Sequence, residues 1–238
     1  MIAKLPSEIL IHTIPISIIR IEGVIFTMGR EFVDLFDHWA ESYDQAVTGK
    51  DIEYQEVFLN YEHILQEVAN LVNGNVVEFG TGTGNLTQRL LEKGCSIIGV
   101  EPSAAMRKIA GKKMPHLTLL DGDFLNFQLF GPIDAFVSSY AFHHLEDSEK
   151  ANAISKYATL LSTGGKVVFA DTVFGSMGEK ETFIQEAKNN HYLSLAQDLE
   201  TEHYTTIPIL ESMFHSNEFS VEFKQLNRYV WLIEAEKL

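Results

Sequence analysis

The stretch Glu78-Phe79-Gly80-Thr81-Gly82-Thr83-Gly84-Asn85-Leu86 decides the fold of this chain. Before it, Val76-Val77-Glu78-Phe79 reads as a short strand; after it, Leu86 to Lys93 reads as a helix. A strand, a glycine loop and a helix in that order open a βαβ unit. Glycines permit a tight turn and let a ligand press against the backbone. The helix amino terminus adds unpaired N–H groups and a partial positive charge. A nucleotide-type cofactor suits such a place. The dinucleotide fingerprint G-x-G-x-x-G is not met, because the third glycine, Gly84, falls one place early and Asn85 stands where it belongs. A P-loop would need Gly-Lys-Ser/Thr, which is missing.

Outward from the loop the rhythm repeats. Ser96 to Val100, Leu117 to Leu120, Ile133 to Ser139 and Gly165 to Val173 read as strands. Ser103 to Met114 and Ser148 to Leu161 read as the helices among them. Short apolar strands alternating with helices build a parallel sheet covered on both faces. Beyond Val173 the alternation stops. Gly178 to Leu199 and Ile207 to Phe214 read as helices. Phe219 to Leu226 and Tyr229 to Ala235 are strands joined by Asn227 and Arg228, a link short enough to require an antiparallel hairpin. Upstream, Glu31 to Gln45 carries Phe32, Leu35, Phe36, Trp39, Ala40 and Tyr43 at helical spacing. Asp51 to Val72 reads as a second helix, stopped by Asn73-Gly74-Asn75. The expectation is an α/β fold: a Rossmann-like, seven-stranded, mostly parallel sheet with an antiparallel C-terminal hairpin strand, helices on both faces, and an N-terminal helical cap over residues 31–72.

Several polar residues fall at the carboxyl ends of these strands, the edge where open α/β sheets bind ligands. Glu101 ends the second strand beside the glycine loop, where a carboxylate can take both hydroxyls of a ribose. Asp123 and Phe124 follow the third strand, where an acid and a ring can hold an adenine. Ser138-Ser139-Tyr140-Ala141-Phe142-His143-His144-Leu145 follows the fourth.

The 238 residues carry 18 Lys plus Arg against 33 Asp plus Glu, a net charge of -15. That field repels polyphosphate, which argues against nucleic acid and anionic membranes as partners. The length suits one domain with a small appendage. The appendage is residues 1–27, which hold nine of the twenty isoleucines and charges that cancel. The run Ile9 to Ile19 contains Pro15 and is too short to span a bilayer, which takes about 20 apolar residues. Glu8 and the missing small-residue site disfavour a signal peptide. The segment reads as a β-rich extension or as sequence upstream of a functional start at Met28, the preferred reading, with the domain over 28–238. The single Cys95 forms no internal disulfide and fits a reducing compartment, and the expected location is cytoplasmic.

With these residues in view, the chain resembles the class I S-adenosylmethionine-dependent methyltransferases, in particular the small-molecule type related to ubiquinone-biosynthesis enzymes. The resemblance rests on Glu78–Gly84, Glu101, Gly122-Asp123-Phe124, Ser138–Leu145 with its His-His-Leu ending, and Phe36-Asp37-x-Trp39-Ala40-x-x-Tyr43-Asp44. Within that group it is most similar to uncharacterised methyltransferases of Gram-positive bacteria. The resemblance implies S-adenosyl-L-methionine as cofactor and residue roles around it. Gly80 and Gly82 would approach its methionine part, Glu78 and the Ser139 carbonyl its ammonium, and Glu101 its ribose. Pro102, Met106, Asp123 and Phe124 would surround the adenine, and Tyr43 would fold over the sulfonium. The partner is then a small-molecule methyl acceptor, and the protein a monomer or homodimer.

His144 and His143 are the candidate general bases, having the right pKa range. Tyr140, His191, Tyr192, His203 and Tyr204 are further candidates for the acceptor pocket. The nine histidines form no HxxxH or HExxH pattern, so no metal set is read. Two other functions share the cofactor-side residues: a nicotinamide-dependent oxidoreductase and a non-catalytic S-adenosylmethionine-binding protein.

Overall fold

The computed structural model describes residues 33–238. The extension 1–27, the start at Met28 and the first turn of the helix expected from Glu31 lie outside the described residues. Seven strands form one sheet: β1 (Asn75–Phe79), β2 (Ser96–Val100), β3 (Thr118–Leu120), β4 (Ala135–Ser139), β5 (Lys166–Thr172), β6 (Phe219–Gln225) and β7 (Val230–Lys237). Their order is β3-β2-β1-β4-β5-β7-β6. Strands β1 to β5 pair in parallel, and β7 alone runs against its neighbours β5 and β6. The helices are α1 (Val33–Trp39), α2 (Tyr43–Gln45), α3 (Tyr61–Asn70), α4 (Asn85–Glu92), α5 (Ala104–Lys113), α6 (Asp147–Leu160), α7 (Met177–Asn189), α8 (Leu193–Thr201) and α9 (Ile207–His215). Among the described residues no helix is long and apolar enough to cross a membrane.

Strand side chains alternate between two cores, as a pleat requires. Val76, Val137 and Val168 face α3, α4, α7 and α8, while Val77, Phe136 and Phe169 face α6 and α9. With both faces covered, the strands are apolar on both sides, which is why they read as continuous runs rather than as alternations. From β1 the chain builds outward to β2 and β3; from β4 it builds the other way. The crevice therefore opens beyond the carboxyl ends of β1 and β4.

Three expected helices are divided, each where tertiary bonds or backbone geometry overrule periodicity. In the first, α1 stops at Trp39, a turn follows, and α2 leads into a wide π-type turn (Ala46–Lys50). Asp37 and Asp44 leave the helix surface to bond the main domain, and Trp39, placed on the apolar stripe, is 43% exposed. In the second, residues 51–60 form turns, and Asn60 in the left-handed region (φ 64) precedes α3. In the third, His191 (φ 60) separates α7 from α8. The hairpin link forms as expected: Asn227 Oδ1 accepts from the N–H groups of Tyr229 and Val230 at 2.8 and 2.7 Å.

Candidate active site

The glycine loop follows β1 with Gly80 and Gly82 both in the left-handed region (φ 63 and 57). A side chain on Gly80 would put its Cβ 2.6 Å from that of Ala141, so only glycine lets the loop after β1 pass the loop after β4. The Gly80 N–H donates to the Val100 carbonyl at 2.9 Å, which ties the loop to the end of β2. There Glu101 is buried. Its Oε2 accepts from the Gly82 N–H and its Oε1 from the Ser103 N–H, both at 2.8 Å. Burial pushes this carboxyl up, and the two amides partly hold it down. Ser103 caps α5, its Oγ accepting from the Met106 N–H at 3.1 Å.

Beyond β3, Asp123 is buried, and its Oδ1 accepts from the N–H groups of Leu125 and Asn126 at 2.9 and 2.7 Å. Phe124 packs at a tilt into a ring cluster with Phe79 (5.1 Å) and Phe142 (5.3 Å). Tyr157 donates to the Phe124 carbonyl at 3.0 Å and fixes the loop from below. Beyond β4, Tyr140 is a non-glycine in the left-handed region (φ 52), at a cost of about 1–2 kcal/mol. The Asp171 carboxylate of β5 organises the turn that follows. Its Oδ2 accepts from the N–H groups of Ala141, Phe142 and His143 at 3.2, 2.7 and 3.2 Å.

These edges surround a cleft of about 660 Å³, open mouth included. Of the cofactor and base candidates read from sequence, Tyr43, Gly80, Gly82, Glu101, Pro102, Met106, Asp123, Phe124, Ser139 and His144 line it. Two do not. Glu78 lies buried behind the loop, with Oε2 accepting from Thr87 Oγ1 at 2.5 Å. Burial, aided by the nearby Glu101 carboxylate, pushes its carboxyl up to about 8. Glu78 therefore stands behind the cavity wall rather than on it. His143 faces away, with Nδ1 2.6 Å from Asp171 Oδ1 and its ring stacked on Tyr204 at 4.9 Å. Burial opposes its charge, but Asp171 outweighs burial and raises its pKa. His144 does line the cavity, beside Phe36 (5.2 Å), with Nδ1 3.1 Å from Oε2 of the buried Glu202. Burial and the neighbouring His143 lower its pKa.

Two aspartates hold the cap over this cavity. Asp37 Oδ1 accepts from Ser103 Oγ at 2.5 Å and from the Ala105 N–H at 3.2 Å. Asp44 accepts from Thr83 Oγ1 (2.5 Å), Asn85 Nδ2 (3.2 Å) and Lys113 Nζ (2.6 Å). Tyr43, between them, is buried deeply enough that its phenol is pushed up to about 12, with Glu101 adding to the shift.

Sequence reading passed over Val33, Phe36, Ala141 and Leu145 as cavity walls, and Asp171 and Glu202 as supports. Asp171 carried a signal, a lone acid in the apolar run Val167–Val173. Glu202 carried none. Of the acceptor-pocket candidates, Tyr140 lines the cavity, whereas His191, Tyr192, His203 and Tyr204 do not. In space, unlike in sequence, a metal-type set exists: His143, His144 and Glu202 bring one donor atom each within 4.8 Å of one another.

Comparison with known proteins follows this geometry. Residues 76–165 match the family described as a methyltransferase domain. An uncharacterised methyltransferase of Anoxybacillus flavithermus is 53% identical over 211 residues, covering 88% of this chain and 100% of the relative. One from Bacillus cytotoxicus is 52% identical with the same coverage. Among solved structures, magnesium protoporphyrin IX methyltransferase of Synechocystis PCC 6803, with bound SAH, superposes at a TM-score of 0.66 and 16% identity. The match covers 87% of this chain and 98% of that one. Human N-acetylserotonin methyltransferase with SAM gives 0.60 and 16%, covering 87% and 59%. The fold is thus shared with these enzymes, and by identity along its length the chain belongs to the family of methyltransferases represented by the Anoxybacillus and Bacillus proteins.

Proposed function

We propose that this protein transfers a methyl group from S-adenosyl-L-methionine to a small-molecule acceptor by in-line displacement, in the cytoplasm, with 28–238 as the functional domain. One observation carries the reading. Nine residues chosen for that cofactor converge on a single cavity whose charged lining, among the described residues, is the carboxyl groups of Glu101 and Asp123, with no Lys or Arg. An acidic lining suits a cationic ligand and disfavours the pyrophosphate of a dinucleotide.

The donor set fits the cofactor. Glu101, fixed by two backbone amides, presents its carboxylate for ribose hydroxyls. Phe124 and Met106 supply apolar surface for the adenine. Asp123 lines the same pocket while closing its own loop. Gly80 and Gly82 leave room for the methionine part, and Tyr43 closes over it from the cap. Bound there, the sulfonium supplies an electrophilic methyl group. The chain's own contribution is placement, worth roughly 7–11 kcal/mol of barrier when reacting groups are well oriented. Val33, Phe36, Tyr140 and Leu145 form an apolar wall for the acceptor, with the His144 imidazole as its polar point. Of the two histidines, only His144 is placed to meet the acceptor.

Calorimetric titration of the full chain with S-adenosylmethionine tests this reading. Binding in the micromolar range is expected; no detectable binding would overturn it. Turnover across a panel of acceptors separates an enzyme from a protein that only binds the cofactor.

A further inference from the structure

We propose that His143, His144 and Glu202 together bind one divalent transition ion of the zinc class, at the acceptor end of the cavity. The three donor atoms lie within 4.8 Å of one another. Donors sharing one tetrahedral ion at about 2.0–2.2 Å sit about 3.3–3.6 Å apart, so His144 and Glu202 at 3.1 Å already stand at ligand spacing, and the widest pair closes by at most about 1.5 Å. Two imidazoles and one carboxylate favour zinc, cobalt or iron over the hard cations magnesium and calcium.

The surroundings match those of metal-bound histidines. A ligating imidazole normally gives its other ring nitrogen to a carboxylate, which fixes its orientation. His143 does so toward Asp171, which is itself pinned by three backbone N–H groups. The second pair, His144 Nδ1 and Glu202 Oε2, stands 3.1 Å apart, a separation that two donors of one ion can keep. His144 also lines the cavity, which gives an ion its entry path and leaves a coordination position open. Two ammonium groups lie nearby. Lys150 is bonded to the carbonyls of Leu145 and His203, and Lys180 lies over the Tyr204 ring near the Glu202 carbonyl. Asp171, Glu202 and Asp198 outnumber them, so the surrounding field still favours a cation.

What the ion would do rests on the methyl-transfer reading; that it binds does not. An ion here would hold the acceptor's O–H or S–H through the heteroatom and promote loss of its proton to water at the cavity mouth. The heteroatom's lone pair then forms the bond to the methyl carbon. The electron pair of the breaking carbon–sulfur bond returns to the sulfonium, leaving a neutral thioether. In this account the two histidines read from sequence as bases are ligands instead.

The test is a titration of the metal-stripped full chain with Co²⁺, followed by its visible absorption, with Zn²⁺ as competitor. One Co²⁺ per chain with visible d–d bands, displaced by Zn²⁺, is expected. Asp171→Asn should weaken Zn²⁺ binding by about 10–100-fold, as loss of an outer carboxylate does elsewhere, and Glu202→Gln or His144→Gln by more. Absence of the visible bands, or equal Zn²⁺ affinity in Glu202→Gln, overturns the site. Should Glu202→Gln not fold, equal affinity in His144→Gln has the same force. S-adenosylmethionine affinity measured on the same samples keeps the two readings apart: a chain that binds Co²⁺ but no cofactor retains the ion site and loses the methyltransferase assignment.

Discussion

The two ends of the cavity are built differently. The cofactor end is made by three successive strand–loop units, with Gly80 and Gly82 after β1, Glu101 after β2, and Asp123 with Phe124 after β3. The loops after β2 and β3 are set by bonds to near neighbours, Glu101 to Ser103 and Asp123 to Asn126, and the glycine loop by bonds to Val100 and Glu101 at the end of the adjacent β2. The acceptor end is assembled from α1, the turn after β4, the buried Asp171 of β5 and Glu202 just past α8. Its bonds span long stretches of chain. Local construction tolerates change elsewhere in the sequence, whereas long-range construction ties the acceptor site to the packing of the whole molecule. Removing one support at each end should therefore give opposite phenotypes.

The largest effect is expected at the acceptor end. Asp171→Ala leaves four backbone N–H groups, those of Ala141, Phe142, His143 and Thr172, and the His143 imidazole without their buried partner. Breaking a buried charged network costs about 3–5 kcal/mol, which for a domain of this size lowers Tm by roughly 10 °C. Calorimetric melting measures it. A fall of only a degree or two would mean that the turn after β4 does not depend on this carboxylate. At the cofactor end, Glu101→Ala should do the reverse. Loss of two charge-assisted hydrogen bonds to the ribose, about 1.5 kcal/mol each, lowers S-adenosylmethionine affinity about 100-fold, while the Gly82 and Ser103 amides left behind cost Tm only a few degrees, less than at Asp171. Unchanged affinity would remove Glu101 from the ribose.

The same contrast explains what could be read without coordinates. The βαβ alternation, the glycine loop and the acids at strand ends are short-range patterns, so the sheet and eleven of the lining residues were legible. The helix breaks at Asn60 and His191 were not, because apolar spacing continues through a single left-handed residue. Nor was the place of Glu78. Its position before Gly80 marks it as part of the motif, but a strand residue points to alternate faces, and this one points behind the loop toward Thr87. Glu202 lies 58 residues from His144, and no spacing rule connects them.

Glu78 offers a third contrast, between a carboxyl bonded within the fold and Glu101, which lines the cavity. Between the ordinary carboxylate range and about 8, folded Glu78 keeps a proton that the unfolded chain has released. Its stabilising contribution is therefore complete at low pH and is lost as pH rises toward 8, by at most about 1.4 kcal/mol per unit. Urea unfolding at about pH 5.5 and about pH 7.5 should show wild type losing roughly 2 kcal/mol relative to Glu78→Gln over that interval. Parallel pH dependences in the two proteins would mean that Glu78 ionises normally inside the fold.

The smallest expected effect lies where the two ends meet, at the cap. Asp44 belongs to the cap yet bonds Thr83 and Asn85 of the cofactor loop, so it joins a long-range segment to a locally built one. Its ion pair with Lys113 is more than a third exposed on both sides and contributes little. The hydrogen bonds to Thr83 and Asn85 are better shielded, and losing them costs about 1 kcal/mol. Asp44→Asn should therefore weaken S-adenosylmethionine binding only about fivefold, chiefly through faster release, with Tm shifted by less than about 2 °C. Stopped-flow release measured at low and high salt separates the contributions, since salt screens the Lys113 pair but not the shielded bonds. A release rate unchanged in Asp44→Asn would mean that the cap does not gate the cofactor, and that the cofactor end is closed by its own loops alone.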